Sequence, residues 1–126
     1  MKNKILLGFF LLVLAGCATS TRYVSYTPER YMAKAPSLAV NVYPGAPAIS
    51  PGHSYYIIGQ ASVEGFAGSG VTSARLTEEA KSIARAKGAD AIINAKTVEY
   101  RYYSGDILLR FTGDLMVEAS VAQTAH

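Results

Sequence analysis

The chain has 126 residues, 12 basic and 9 acidic side chains, and a single cysteine. One cysteine excludes an internal disulfide framework and a cysteine-based zinc cluster. Lys2 and Lys4 lie in a segment that we expect to be removed, which leaves 12 − 2 = 10 basic residues against 9 acidic ones, and this near-neutral balance argues against a nucleic-acid partner, which would need a clustered basic face.

Residues 1–16 are predicted to be a lipoprotein signal peptide. Met1–Lys4 is short and positively charged, and Ile5–Leu14 is an unbroken apolar run. The run is too short for a membrane span, which needs roughly 20 apolar residues, but it has the length and flanks of a secretory signal. The alternative interpretation is a short core helix that ends in a buried cysteine. In that case the order of a positive segment, an apolar run and a cysteine so close to Met1 would be accidental.

The apolar run leads into Leu14-Ala15-Gly16-Cys17, which resembles the lipobox of bacterial lipoproteins. The resemblance implies that Cys17 receives a diacylglyceryl thioether and becomes the first residue of the mature protein. Two or three acyl chains form a firm membrane anchor, because each buried methylene contributes about 0.8 kcal/mol. In diderm bacteria the residue after the cysteine helps to sort lipoproteins, and Ala18 favours the outer membrane, with the domain facing the periplasm.

Residues 17–36 are predicted to be the lipidated N-terminus and a tether, because Ala18–Pro36 is polar and has no apolar period. Tyr23, Tyr26 and Tyr31 recur in this segment. Their rings could lie in the lipid headgroup zone, pack on the domain or belong to a simple spacer. A single domain is expected over residues 37–120, followed by a frayed tail at residues 121–126.

The first half of the domain is predicted to hold two strands. Leu38–Tyr43 alternates loosely and precedes a proline-rich loop. Tyr55–Glu64 is the second strand, with its odd-numbered residues from Tyr55 to Val63 on one face. Gly65–Val71 then forms a glycine-rich connection. Its glycine order departs from the phosphate-binding motifs, so a flexible connection is the favoured interpretation.

The second half of the domain is predicted to hold a helix and two strands. An apolar stripe over Thr72–Lys87 predicts the helix, and Gly88 ends it. The strands are Ala89–Tyr100 and Ile107–Ala119, joined by a turn at Ser104-Gly105. The stripe consists of Leu76, Ala80, Ile83 and Ala84. The inner face of the last strand consists of Leu109, Phe111, Gly113, Leu115, Val117 and Ala119.

These elements predict an α+β fold, with a small antiparallel-rich sheet of about four strands and one helix packed on one face, in the order β-β-α-β-β. Gly113 lies in the middle of the last strand, where a missing side chain indicates a close approach. We assign that approach to the crossing helix.

Within this order of elements, five short stretches resemble those of known domains: Ile58-Gly59, Ala74-Arg75, Ala84, Lys87 to Ile92, and Gly113. On these residues the chain resembles a group of small bacterial domains that includes the heavy-metal-binding domain family and the C-terminal domain of the Rcs envelope-stress lipoprotein. The resemblance covers residues 55–119 and implies the fold above; in the metal-labelled family it also implies ring-like self-association.

Two departures limit what the resemblance implies. The stress lipoprotein holds its domain with disulfides, whereas this domain contains no cysteine. The chain has two histidines, His53 and His126, which are too few nitrogen ligands for a tight transition-metal site. We therefore predict no metal site and no cofactor.

The expected function is that of a non-enzymatic interaction or sensing module with an envelope protein partner, or with a second copy of the chain. Five tyrosines are candidates for the interaction surface, since tyrosine is favoured in interfaces, although ordinary sheet tyrosines with one wet edge would give the same pattern. They are Tyr55, Tyr56, Tyr100, Tyr102 and Tyr103.

The sequence leaves other functions open. A small envelope hydrolase would use His53 with Ser54, or Asp90 with Asp106, but neither pair has a spacing that indicates catalysis. We therefore assign no catalytic residue. A small-ligand carrier would use the Gly65–Val71 loop and the start of the helix, and a metal-binding periplasmic domain is the further alternative that the family resemblance implies.

Overall fold

The computed structural model describes residues 18–46 and 54–119. Strands β1, β2 and β3, helix α1, and strands β4 and β5 follow one another along the chain, with a short 3-10 turn at Ala67–Ser69 before the helix. This α+β arrangement confirms the predicted fold class. The elements are β1 (Thr19–Ser25), β2 (Asn41–Val42), β3 (Tyr55–Phe66), α1 (Ser73–Ala86), β4 (Ala91–Arg101) and β5 (Ile107–Glu118).

The five strands form one sheet in the order β1-β3-β5-β4-β2. All neighbours are antiparallel except β2, which runs parallel to β4. The sheet therefore has two distinct ends. At the first, which we call the hairpin end, β1 begins, β3 stops and the β4–β5 hairpin turns the chain. At the second, the far end, β1 stops and β3 and β4 begin.

Helix α1 packs on one face of the sheet through the predicted stripe. Leu76, Ala80 and Ala84 are buried, and Ile83 packs against the same core. Thr72 caps the helix, because its hydroxyl accepts a hydrogen bond from the Arg75 amide at 3.2 Å. Small alanine side chains let the helix lie close to β3 and β5.

Two apolar clusters lie on opposite faces of the sheet. The main core lies between the helix and the sheet, and β5 contributes Phe111, Leu115 and Val117 to it, as predicted. The second cluster is on the other face and is confined to the far end. It consists of Ala91, Ile93 and Met116, with Tyr43, Tyr55 and Ile57 packed against them.

A bulge at Ile58 corrects the predicted face of β3. Ile57 lies opposite Met116, but Gly59 lies opposite Leu115, so Ile58 is an extra residue. An extra residue reverses the alternation of side chains. Ile58 therefore joins the main core, while Tyr55 and Ile57 point to the other face.

The close approach at Gly113 was predicted correctly but assigned to the wrong neighbour. A Cβ placed on Gly113 would collide with the Cγ2 methyl of Ile92, on the adjacent strand β4. The ladder between β4 and β5 shifts register between Ile93 and Lys96, beside this position. The missing side chain therefore makes room for a neighbouring strand residue, and the helix is not among the nearest contacts.

The predicted tether contains the first strand of the sheet. Thr19–Ser25 pairs with β3 from Thr19 opposite Gly65 to Ser25 opposite Gly59. β1 is an edge strand with largely polar side chains, and its backbone pairs with β3. The ordered domain accordingly starts before residue 37, and the sheet has five strands, one more than the four or so predicted.

The first predicted strand, Leu38–Tyr43, is reduced to the two residues Asn41–Val42. The residues that precede β2 in the chain lie beside the C-terminal end of α1. The Lys34 amide donates to the Arg85 carbonyl at 2.8 Å, and the Lys34 ammonium lies 2.8 Å from the Asp90 carboxylate. Leu38 is tied to the end of α1, because the Arg85 guanidinium donates to its carbonyl oxygen at 2.5 Å.

Candidate functional site

The face of the sheet opposite the helix carries an open polar groove, which we call the sheet groove. It has a volume of about 630 Å³. Three strands, β1, β3 and β5, line it with side chains that point away from the main core, and all of these except Val24 are polar. They are Ser20, Arg22, Val24, Gln60, Ser62, Glu64, Arg110 and Thr112.

A cross-strand ion pair organises the sheet groove. Glu64 and Arg110 are directly opposite in the β3–β5 ladder, and two guanidinium nitrogens lie 2.7 Å from the same carboxylate oxygen. The hydrogen bond to Glu64 raises the pKa of Arg110. The Arg110 guanidinium also lies 5.1 Å from the centre of the Tyr100 ring, within cation–π range.

Arg22 gives the groove a second cationic group. It lies opposite Ser62 on β3, and among the described residues no carboxylate forms an ion pair with it. The groove therefore offers one paired and one available guanidinium, beside hydroxyl and amide groups. Such a surface can form hydrogen bonds with a polar or acidic partner.

A second cleft, of about 420 Å³, lies at the far end, and we call it the far cleft. It opens between the chain segment after β1 and the end of α1. At the wall of the far cleft, the Lys87 ammonium lies 4.8 Å from the centre of the Tyr23 ring. The lining residues are Tyr23, Ser25, Thr27, Pro28, Glu29, Arg30, Tyr31, Ile58, Ala86 and Lys87.

Two tyrosines of the far cleft have perturbed hydroxyl groups. Burial raises the pKa of Tyr23, and a hydrogen bond with Ser25 partly offsets this effect. Burial also raises the pKa of Tyr31, and the hydrogen bond and negative charge of Glu29 act in the same direction. The Tyr31 hydroxyl donates to the Glu29 carboxylate at 3.2 Å.

For two of the three tyrosines in residues 18–36, the structure supports packing on the domain. Tyr23 and Tyr31 pack against the main core, so these two rings belong to the domain. Tyr26 is exposed, and its amide donates to the Ile58 carbonyl at 2.9 Å.

The five tyrosines predicted as one surface fall into two groups. Tyr55 and Tyr56 are at the far end, at the beginning of β3. Tyr100, Tyr102 and Tyr103 are at the hairpin end, where Tyr100 lies opposite Leu108. The two groups are separated by the length of the sheet and cannot form a single patch.

The two aspartates considered for hydrolysis do not come together. Asp90 directly precedes β4 and Asp106 lies in the turn between β4 and β5, so the eleven residues of β4 separate them, which at 3.3 Å per residue is roughly 35 Å. Asp90 accepts the Glu118 amide at 2.8 Å, and Asp106 accepts the Ser104 hydroxyl at 3.0 Å. Both carboxylates have structural partners.

Several predicted positions lie outside the described residues: Cys17 with the signal peptide, His53, and the tail from residue 121 to His126. Within residues 18–46 and 54–119, no group of three or more histidine, cysteine or acidic side chains has a metal-binding arrangement. No helix in those same residues is long and apolar enough to span a bilayer.

The glycine-rich connection has a defined backbone. Gly65 lies near the end of β3 and pairs with β5. The Gly70 amide donates to the Ala67 carbonyl at 3.0 Å, and Val71 is buried. A Cβ on Gly65 would lie 2.8 Å from both the Ala18 carbonyl oxygen and a Val71 methyl. The first glycine therefore serves close packing.

The sheet groove was not predicted from the sequence, although half of its pattern was visible. The alternation in β5 placed Arg110 and Thr112 on the outer face, and the same alternation placed Gln60, Ser62 and Glu64 together in β3. The contribution of β1 could not be anticipated, because that segment has no apolar period that would indicate a strand.

Comparison with known proteins gives one structural similarity. The fold resembles that in the crystal structure of the Francisella virulence factor FvfA, with a TM-score of 0.49 and 18% sequence identity over 75% of this chain and 96% of that one. No protein-family model matches the chain, and neither does any curated protein.

Proposed function

We propose that the protein is a lipid-anchored bacterial envelope protein whose domain is a non-enzymatic interaction module facing the periplasm from the outer membrane. The observation that carries this proposal is the sequence Leu14-Ala15-Gly16-Cys17 at the end of a signal-like apolar run. The resemblance to the Rcs lipoprotein domain and to the heavy-metal-binding domain family bears on the architecture of the domain more than on its function.

The anchor is tested by replacing Cys17 with serine. We expect metabolic labelling with a radioactive fatty acid to mark the unaltered protein and to be lost in Cys17→Ser, because the thiol is the acceptor of the diacylglyceryl group. The processed protein should also float with membranes in a density gradient. An unlabelled wild-type protein, or a labelled Cys17→Ser variant, would refute the anchor.

The sheet groove is the surface that we assign to partner binding. Its hydrogen-bonding groups come from three strands, and Arg22 is available to an acidic partner. A photo-crosslinking amino acid at Thr112, in the groove, should give a discrete crosslinked product in intact cells. The matched position Glu78 lies on the exposed side of α1 and should give none. Equal products from both positions would argue against the groove.

A small-ligand carrier is the second candidate, and the far cleft favours it. Its volume of about 420 Å³ lies within the range of about 300 to 1,000 Å³ that is usual for ligand sites. A screen for ligand-dependent increases in melting temperature would test it, since a ligand stabilises the folded state according to its excess over Kd. An increase that disappears in Lys87→Ala would support the far cleft as the site.

A further inference from the structure

The hairpin end of the sheet carries exposed aromatic rings from separate parts of the chain. Phe66 ends β3, and Tyr100, Tyr102 and Tyr103 belong to β4 and the hairpin. All four are exposed, and the ring centres of Phe66 and Tyr102 are 6.2 Å apart. Exposed apolar groups that cluster in this way mark a site of interaction with a protein or a membrane.

The chain enters the domain at this same end. Thr19, the first residue of β1, lies opposite Gly65, and Gly65 directly precedes Phe66. β1, β3, β5 and β4 are successive neighbours in the sheet, so with about 4.8 Å between strands the hairpin lies roughly 14 Å from β1. The aromatic rings and the point of entry therefore share one end of the molecule.

Ala18, the residue that follows Cys17 in the sequence, already belongs to the domain. Ala18 packs against the main core, and its carbonyl oxygen is in close contact with Gly65. The Thr19 hydroxyl donates to the Glu79 carboxylate on α1 at 3.0 Å. Because consecutive Cα atoms are about 3.8 Å apart, the Cα atom that carries an acylated Cys17 side chain must lie within that distance of Ala18.

We propose that the hairpin end lies on the surface of the bilayer that holds the acyl chains of Cys17, with the rings of Phe66, Tyr102 and Tyr103 at the level of the lipid headgroups. This inference rests on the lipidation proposed above. Tyrosine suits the position, since its apolar ring and polar hydroxyl match the boundary between acyl chains and water. A bilayer fits this end better than a protein partner does, because the short connection brings the membrane there in every anchored molecule.

This orientation determines what the rest of the domain can reach. β3 is twelve residues long, and the far cleft lies at its other end. The far cleft therefore faces away from the membrane, and the sheet groove opens to the side. A partner could bind the groove while the domain rests on the lipid.

The chain contains no tryptophan, so a single introduced tryptophan reports on one position. The acylated protein would be prepared as Tyr102→Trp, Tyr103→Trp and Tyr56→Trp variants. The last is the matched control, because Tyr56 at the far end is 54% exposed and Tyr102 is 51% exposed. Each variant would be reconstituted into vesicles of phosphatidylethanolamine and phosphatidylglycerol, with and without brominated phosphatidylcholine, which quenches tryptophan at short range. Mass spectrometry would establish acylation, and circular dichroism would establish folding.

We expect brominated lipid to quench the tryptophans at positions 102 and 103 and their emission to shift to the blue, while the tryptophan at position 56 is unaffected. Acylated protein with no quenching at positions 102 and 103, or with equal quenching at all three, would overturn the proposed orientation and leave the lipid anchor intact. A mass without acyl chains would instead refute the anchor, and the orientation with it.

Discussion

The ring of Tyr23 fills the space that a side chain on Gly59 would occupy. A Cβ placed on Gly59 would lie 2.6 Å from the Tyr23 Cζ atom, and the Tyr23 hydroxyl donates to the Ile58 carbonyl at 3.2 Å. The missing side chain on β3 therefore lets a large residue of β1 reach the main core. This contact attaches the edge strand to the domain by a side chain as well as by the backbone ladder.

We expect Gly59→Ala to destabilise the protein by about 1 to 3 kcal/mol, the usual cost of overpacking. The new methyl would displace Tyr23 and push β1 away from β3. Urea unfolding of the variant measures this cost. Gly68→Ala is the control, because nothing lies within 4 Å of a Cβ at that position, and its effect should stay within about 0.5 kcal/mol. Equal stabilities of the two variants would contradict the proposed contact.

The turn after α1 yields a second prediction. Gly88 has φ +79°, and a Cβ there would lie 2.6 Å from the Met32 carbonyl oxygen. Gly88→Ala should therefore cost about 1 to 2 kcal/mol for the left-handed backbone and about 1 to 3 kcal/mol more for the close approach.

Gly105→Ala separates these two effects. Gly105 also has a positive φ, +94°, but nothing lies within 4 Å of its Cβ position. Only the backbone cost applies there, so thermal unfolding should show a smaller loss than for Gly88→Ala. Equal losses of stability in the two variants would contradict the close approach between the Met32 carbonyl oxygen and Gly88.

A third prediction concerns Gly113 and Ile92. Gly113→Ala places a methyl against the Ile92 side chain and should cost about 1 to 3 kcal/mol. Ile92→Ala removes buried atoms and should cost about 2 to 5 kcal/mol. In the double variant the two small side chains share the space, so the combined loss should be less than the sum. A double-mutant cycle in urea measures this coupling, and additive losses would contradict the contact.

The fourth prediction is a dependence of stability on alkaline pH. Burial raises the pKa of Tyr23 above its ordinary value of 10.0, so the folded protein holds this proton to higher pH than the unfolded chain does. The free energy of unfolding is therefore unaffected below the unfolded pKa and falls as the pH rises through the folded one. Tyr23→Phe should remove part of this fall, and Tyr31→Phe should act in the same direction.

Urea unfolding between pH 8 and pH 11, with the pH range chosen to bracket the ordinary tyrosine pKa of about 10, measures the effect. Tyr23→Phe also loses the hydrogen bond to Ile58, a cost of about 0.5 to 1.5 kcal/mol that is the same at neutral and mildly alkaline pH. The test is therefore the slope and not the absolute stability. A slope unchanged in Tyr23→Phe would refute the prediction.

The helix and the last strand could be predicted because their signals are local. The stripe of Leu76, Ala80 and Ala84 repeats with the helical period, and Gly88 supplies the left-handed residue after it. Phe111 and Leu115 alternate with polar residues on β5. In both elements the pattern of burial follows from the geometry of a single segment, so the sequence alone determined the α+β class, the helix and the long β5.

Only the tertiary structure decided the remaining features, because each depends on a neighbour distant in the chain. Thr19–Ser25 is a strand because β3 supplies its hydrogen-bond partners, and the bulge at Ile58 sets which side chains of β3 meet the core. The sheet groove and the aromatic hairpin end likewise combine residues from several elements. Their composition was visible in the sequence, but their proximity was not, since it arises from strand order and register.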